Sequence, residues 1–483
     1  MAYPDLMFLS QIPVHRIFDD AFEDMKLKTL LGDETLHAMN IPCERDDIIA
    51  RQEMFSAMKN SEARDHMTLL KENITAVSTL AERYENARCD SERYILFANL
   101  AKAISHFFSN ASKNILPAGL YTRFCNYFAK RCENTNYKQL VSDLDVLMPK
   151  IEGITVSQYK ISGDNVKVSL DTAVPYVERL LADAECLGIA RPRMQAMEAR
   201  VLDCSVIEAT AKLHPDLFSA LGDFHSRHKN FYERELLLYR TSISFYSEIC
   251  DMLDMISSKG IPVCFPKIAS QKKIDISSAY DITLLTKGES NIIPNDVYFD
   301  EKEPFFYLTG ANGGGKTTYL RTVGISTILF LNGCPCPCER AEIYPLHNVF
   351  THFPRDERFD NAGRNAEEQI RVKNILDATD HVSLVLLNET YSTTSEEVAM
   401  QQTAALAETM YRGGEFGVYV THQHSTSDGE IPYLNVIIDV NNSNRRTYKV
   451  ARQNSVYSSY ARDILQKYSL TKEELDRRFG NIN

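Results

Sequence analysis

The run from Phe305 to Leu320, F-F-Y-L-T-G-A-N-G-G-G-K-T-T-Y-L, constrains this chain more than any other stretch. Four apolar residues read as a short buried strand, Gly310 opens a tight turn, and Lys316 and Thr317 begin a helix. The spacing is G-x-x-x-x-G-K-[ST], set between a strand and a helix as a phosphate-binding loop requires. In that setting Gly310, Ala311, Asn312, Gly313, Gly314 and Gly315 are expected to line the nucleotide. Their backbone N–H groups turn onto phosphate oxygens, and the positive end of the following helix adds to the attraction. Lys316 would reach the β- and γ-phosphates, Thr317 would ligate Mg²⁺ through its hydroxyl, and Thr318 would complete the contacts. The full match with both flanking elements favours a nucleotide site over a glycine turn without a ligand.

At 483 residues the chain has room for roughly two to four domains. Charged residues at 24% and hydrophobic ones at 44% match an ordinary soluble protein, and no apolar run approaches the ~20 residues of a membrane span. The start, M-A-Y-P-D-L-M-F, has no basic segment or cleavage site and reads as lacking a secretory signal. Eleven scattered cysteines fit free thiols in a reducing cytosol, so a cytoplasmic protein with no membrane partner is expected. The net charge of −12 argues against binding nucleic acid through overall positive charge. A local basic patch stays open.

Residues 1–270 read as mostly helical. From Ile48 to Tyr84, Leu70, Ile74, Val77, Ala81 and Tyr84 recur at steps of four and three, and Ile95, Leu96, Leu100, Ile104 and Phe107 give a second stripe. Alternation from Ile154 to Leu170 reads as two strands around a turn at Ser162–Asn165. Helical pattern resumes at Val174 and ends before Gly260, with Pro262 and Pro266 marking a boundary. The second half alternates strand and helix. A helix runs to Leu331, Val382–Leu387 is a buried strand, Ala399–Tyr411 a helix and Val418–Thr421 another strand. Tyr457–Phe479 suggests two short helices.

The strand V-S-L-V-L-L ends on Asn388-Glu389. In phosphate-loop ATPases a carboxylate at the first position orients the Mg²⁺ shell and Glu at the second polarises the attacking water. Here Asn388 is a neutral metal partner and Glu389 the general base. After the next strand, His422 is placed to hydrogen-bond the γ-phosphate or the lytic water. The run Cys334-Pro335-Cys336-Pro337-Cys338 invites a metal reading, but no second Cys or His pair stands at zinc-site spacing, and the thiols read as packing.

These residues resemble, in order, the ATPase domain of the MutS family of DNA mismatch-repair proteins. Thr309–Arg321 is similar to the family's T-G-P-N-x-G-G-K-[ST]-x-x-[LM]-R. Asn332–Ile343, Val349-Phe350-Thr351, Asn374–Thr379, Ser383–Glu389 and Thr421–His424 resemble its later segments. Upstream, Ser290–Asp296 resembles the stretch that packs on adenine, with Ile292 near a position usually aromatic. The resemblance covers about Ile276 to Tyr468. More loosely, Ile48–Phe55 (I-I-A-R-Q-E-M-F) resembles a segment of the family's core and lever domains.

The resemblance implies a multidomain fold: an all-α core and lever domain at 1–270, an α/β P-loop NTPase domain of ABC-like type at 271–455, and a short-helix dimerisation segment at 456–483. It also implies ATP and Mg²⁺ as cofactors, a homodimer sandwiching the nucleotide, and DNA as a partner. The chain reads as a shortened branch lacking the mismatch-recognition domain and its Phe-x-Glu motif. Phe231-Tyr232-Glu233 mimics that motif within a helical pattern and reads as coincidence. Where the family's signature loop donates a serine, this chain has Gly363–Glu368 without Ser or Thr. There Arg364 is either a donor to the partner subunit's γ-phosphate or a surface arginine. Two functions follow: an ATPase gating DNA engagement in repair or recombination, or a nucleotide-gated clamp with little hydrolysis.

Overall fold

The computed structural model describes residues 3–9, 19–41, 43–153, 157–162, 165–170, 204–289, 291–354, 361–391, 396–421, 430–438, 446–452 and 477–478. Close backbone contacts divide the chain into two units. The first comprises Met1–Leu6, Asn60–Pro117 and Tyr121–Ile243, and the second Met7–Lys59, Ala118–Leu120 and Ser244–Asn483.

The first unit is built on long helices. Ser61–Glu85 begins where the Asn60 side chain accepts from the Glu62 N–H at 3.0 Å, a cap that separates it from the preceding helix Arg45–Ala57. Its stripe of Leu70, Ile74, Val77 and Ala81 is buried, as the spacing predicts. The helix Asp90–Ala111 buries Leu100, Ile104 and Phe107, and its Phe97, Ala98 and Ala101 pack with Leu140, Leu144, Leu221 and Phe224 of the helices Thr135–Glu152 and Pro215–His228. Each of these leucine, isoleucine and phenylalanine side chains contributes about 1.5–3 kcal/mol by leaving water. Strands β1 (Ser157–Ser162) and β2 (Asn165–Leu170) pair antiparallel, Ser162 opposite Asn165, which is the hairpin the alternation predicts. Phe231 ends a 3-10 turn rather than sitting in a helix. Its ring lies 5.5 Å from that of Phe108, and Glu233 accepts from Arg131 at 2.7 Å, so both residues serve internal packing.

The second unit carries two sheets. Its strands are β3 (Lys267–Ile268), β4 (Lys273–Ala279), β5 (Asn295–Asp300), β6 (Phe305–Thr309), β7 (Arg340–Ile343), β8 (Asn348–His352), β9 (Ser383–Asn388), β10 (Phe416–Val420), β11 (Tyr433–Ile438) and β12 (Arg446–Arg452). The larger sheet has the order β12-β11-β6-β10-β9-β8, parallel except for β12 against β11; the smaller is β3-β7-β4-β5. Strands β6, β8, β9 and β10 are buried along their whole length, which is why they read as continuous apolar runs.

Successive residues of β9 face opposite ways. Val385 and Leu387 join Val372 and Ile375 of the helix Asn361–Ala378 and Leu406, Ala407 and Met410 of the helix Glu396–Gly413. Leu386 faces the helix Lys316–Leu331, where a Cβ on Gly324 would lie 3.0 Å from its Cδ1. That helix is buried almost throughout, and residues from the start of the chain hold both its ends. At its C-terminal end the fully buried Arg51 donates to Met7 O at 2.8 Å and to both oxygens of Asn332 at 3.3 Å. Nearer its start, Arg321 donates to Asp24 O at 3.1 Å. Among the described residues no helix is long and apolar enough to cross a membrane. The tail at Tyr457–Phe479 lies outside the described residues except for 477–478.

Candidate functional site

The phosphate loop joins β6 to the helix Lys316–Leu331. Gly310 has φ of 131°, and a Cβ there would stand 2.9 Å from Val436 Cβ on β11, so only glycine fits beside that strand. Gly315 caps the helix at φ of 101° and leaves its first N–H groups turned to the loop. Lys316 is 5% exposed, and its Nζ donates to Gly310 O at 2.9 Å and to Asn312 Oδ1 at 3.3 Å. Burial lowers the Lys316 pKa from 10.5 to about 8; Glu389 opposes this shift and Arg446 adds to it.

A cleft of about 340 Å³ opens over the loop. Its walls bring together Asn312, Gly313, Gly315, Lys316, Thr317 and Thr318 with Ile292 and Glu389. Gly310, Ala311 and Gly314 belong to the same loop beneath, where Gly314 N donates to Ala311 O at 3.0 Å. Ile292, 9% exposed, lies on the cleft wall with Ile293 and Leu284.

Glu389 follows the last residue of β9 with φ of 52°, a conformation uncommon for residues with a side chain. Its N–H donates to Val420 O at 3.0 Å. Tyr391 also has a positive φ of 66°, and the Tyr419 hydroxyl donates to Thr390 O at 3.0 Å between them. The strand end is thus an over-determined turn that presents Glu389 towards Lys316.

Asn388 is 7% exposed, and its Oδ1 has no hydrogen-bond partner among the described residues. A buried carbonyl oxygen without a donor is a ready ligand for a hard cation, as is a threonine hydroxyl. Both oxygens, on Thr317 and Asn388, are of the kind Mg²⁺ takes, so these two residues suit that ion.

Two expected side chains fall outside what the structure describes. His422 lies outside the described residues, directly after Thr421, whose N–H donates to Leu308 O at 3.2 Å. Arg364 falls in the helix Asn361–Ala378, and its side chain is outside the described ones. Tyr448 lines the cleft without belonging to any motif. Tyr448 of β12 stands beside Gly315, where a Cβ would meet its Cδ1 at 3.5 Å, and Asn295 Nδ2 holds its carbonyl at 3.0 Å. It comes from a strand far along the chain, and only a positive φ of 56° sets it apart.

The proline-separated cysteines serve packing. Cys334, Cys336 and Cys338 are fully buried, Cys336 exchanges backbone hydrogen bonds with Cys264, and burial pushes the Cys334 and Cys336 thiols well up. Among the described residues no cluster of metal ligands includes them.

Residues 306–475 match the family model of MutS domain V. That stretch is similar to a MutS domain V. The match begins inside β6 and takes in the phosphate loop, Asn388, Glu389 and His422, while Ile292 stands upstream of it. Among similar proteins is the DNA mismatch repair protein MutS of Natronomonas pharaonis, 32% identical over 155 residues, or 31% of this chain and 18% of that protein. The protein of the same name from Chlorobium phaeovibrioides is 24% identical over 311 residues, 62% of this chain and 34% of that protein. That from Thermotoga maritima is 24% identical over 258 residues, 53% and 31% respectively. The chain thus spans about a fifth to a third of the length of the curated relatives it matches. Likeness outside domain V reaches part of the helical half, in keeping with a MutS-related chain.

Proposed function

We propose that this domain binds ATP with Mg²⁺ and hydrolyses it, and that a pair of such chains uses the cycle to gate engagement of DNA. The observation that carries the reading is the single cleft holding the phosphate loop, the buried Lys316 and the strand-end Glu389. The Lys316 ammonium exchanges its two loop acceptors for β- and γ-phosphate oxygens. Ile292, Ile293 and Leu284 offer an apolar wall to the base, and Tyr448 offers a ring beside Gly315. Glu389 accepts the proton of the attacking water, and His422 orients that water or the γ-phosphate. Thr317 and Asn388 would hold Mg²⁺, whose charge offsets that of the phosphates. Arg364 extends to the γ-phosphate bound by a second chain.

DNA engagement rests on the printed name of the relatives, DNA mismatch repair protein MutS, and is carried to this chain as part of the proposal. A cytoplasmic location belongs to the same reading. The alternative, a nucleotide-gated clamp with little hydrolysis, is favoured by one observation: Asn388 is a neutral amide where related ATPases place a carboxylate. Titration with a fluorescent ATP analogue tests nucleotide binding. Lys316→Ala is expected to abolish it, and unchanged affinity would remove the assignment.

A further inference from the structure

In the first unit, away from the nucleotide cleft, two thiols and a carboxylate converge. Cys89 stands at the N-cap of the helix Asp90–Ala111, Glu92 lies three residues on in its first turn, and Cys204 opens the helix Cys204–Leu213. The Cys89 and Cys204 Sγ atoms and a Glu92 carboxylate oxygen all lie within 4.8 Å of one another. Cys204 Sγ is 3.6 Å from Glu92 Oε2. All three residues are partly exposed, so an ion can reach them.

We propose that Cys89, Glu92 and Cys204 form a binding site for a tetrahedral divalent cation, zinc above all, with water as the fourth ligand. The ligand chemistry fits: two soft thiolates and one carboxylate suit Zn²⁺ and are poor for Mg²⁺ or Ca²⁺. The spacing fits too. With zinc–sulfur and zinc–oxygen distances of about 2.3 and about 2.0 Å, tetrahedral angles put a sulfur and an oxygen ligand about 3.5 Å apart. The observed 3.6 Å needs almost no rearrangement.

The scaffold fits as well. Glu92 Oε2 accepts from Arg88 N at 2.8 Å, a contact that orients the carboxylate as a supporting hydrogen bond does at metal sites. Cys89 makes no side-chain cap to its own helix, so capping does not account for its thiol. Both helices are fixed by one core: Phe97, Ala98 and Ala101 of the first pack with Ile207 and Ala211 of the second. The ligands come from segments 112 residues apart, so the ion cross-links two helix starts that are distant in sequence. Zinc takes cysteine as thiolate, so binding releases protons from both thiols.

The test uses the full chain, stripped with a chelator under a phosphine reductant and titrated with Co²⁺, then with Zn²⁺. The expected result is a thiolate-to-cobalt charge-transfer band that saturates at one equivalent and is displaced by Zn²⁺. It is lost in Cys89→Ser and in Cys204→Ser and kept in Cys264→Ser, which alters a thiol elsewhere. Because either cysteine variant could fold poorly, Glu92→Gln is measured beside them. It retains both thiols and a hydrogen-bond acceptor for Arg88 N, and its zinc affinity is expected to fall at least about tenfold. Absence of a saturating band in the wild type, a band that survives both cysteine substitutions, or an unchanged affinity in Glu92→Gln overturns the proposal.

Discussion

Burial holds the Lys316 pKa at about 8, so a nucleotide arriving in mildly alkaline solution meets a lysine that is only partly charged. Bound phosphate favours the ammonium and raises that pKa, so binding above about pH 8 takes up a proton. ATP affinity is therefore expected to be flat well below pH 8 and to weaken above it, by at most about tenfold per unit. Lys316→Arg, charged throughout, should lose that slope; a fluorescent-ATP titration across pH checks it, and a wild-type affinity independent of pH contradicts it. Folding runs the same way. The folded pKa lies below the unfolded 10.5, so the cost of burying the charge is full below about pH 8 and fades as pH rises towards 10.5. At this scale the sequence was most legible where chemistry fixes spacing, as in the loop from Gly310 to Thr318 and in Glu389 at a strand end. Tyr448 was not legible, because its place depends on β12 pairing beside β11 and no local pattern encodes that neighbour.

Elements were legible to the extent that burial writes itself into periodicity. Strands β6, β9 and β10 appear as apolar runs because both faces are covered, and the hairpin β1–β2 appears as alternation around a turn. The stripe from Ile48 to Tyr84 is really two helices, since Asn60 caps the second. What periodicity could not convey is that Met7–Lys59 packs within the second unit. Besides buried side chains such as Met25, Leu27 and Met54, polar pairs hundreds of residues apart hold it there, with Asp24 at the centre. Its Oδ2 accepts from Thr351 at 2.7 Å and pairs with Arg371 at 3.2 Å, and its carbonyl accepts from Arg321. Both ionic side chains are nearly buried, at 3% and 12% exposure. Asp24→Ala leaves Arg371 with the half-exposed Asp20, 3.5 Å from its Nε, and should cost up to about 3–5 kcal/mol. Urea unfolding measures it; a loss below about 1 kcal/mol, the range of surface pairs, would mean the contact is incidental.

For the molecule as a whole we propose two chains sharing a composite nucleotide site. Arg364 of one chain and Lys316 of the other would then complement each other. Mixing Arg364→Ala with Lys316→Ala should restore activity in hybrid dimers, where one site keeps both residues. If proven subunit exchange leaves the mixture as inactive as its parents, Arg364 has no role across chains. The likeness to MutS domain V was legible in the ordered motifs of the second half, whereas His422 and the Arg364 side chain lie outside the described residues. The central claim is that the cleft around Lys316 and Glu389 hydrolyses ATP in response to DNA. Steady-state ATP turnover, with and without heteroduplex, branched and single-stranded DNA, tests it most directly when wild type and Glu389→Gln are compared. The account predicts turnover that DNA modulates, and a Glu389→Gln chain that still binds ATP but turns over at least ~10²-fold more slowly. Wild-type turnover that is absent with every DNA, or equal in Glu389→Gln, would contradict it.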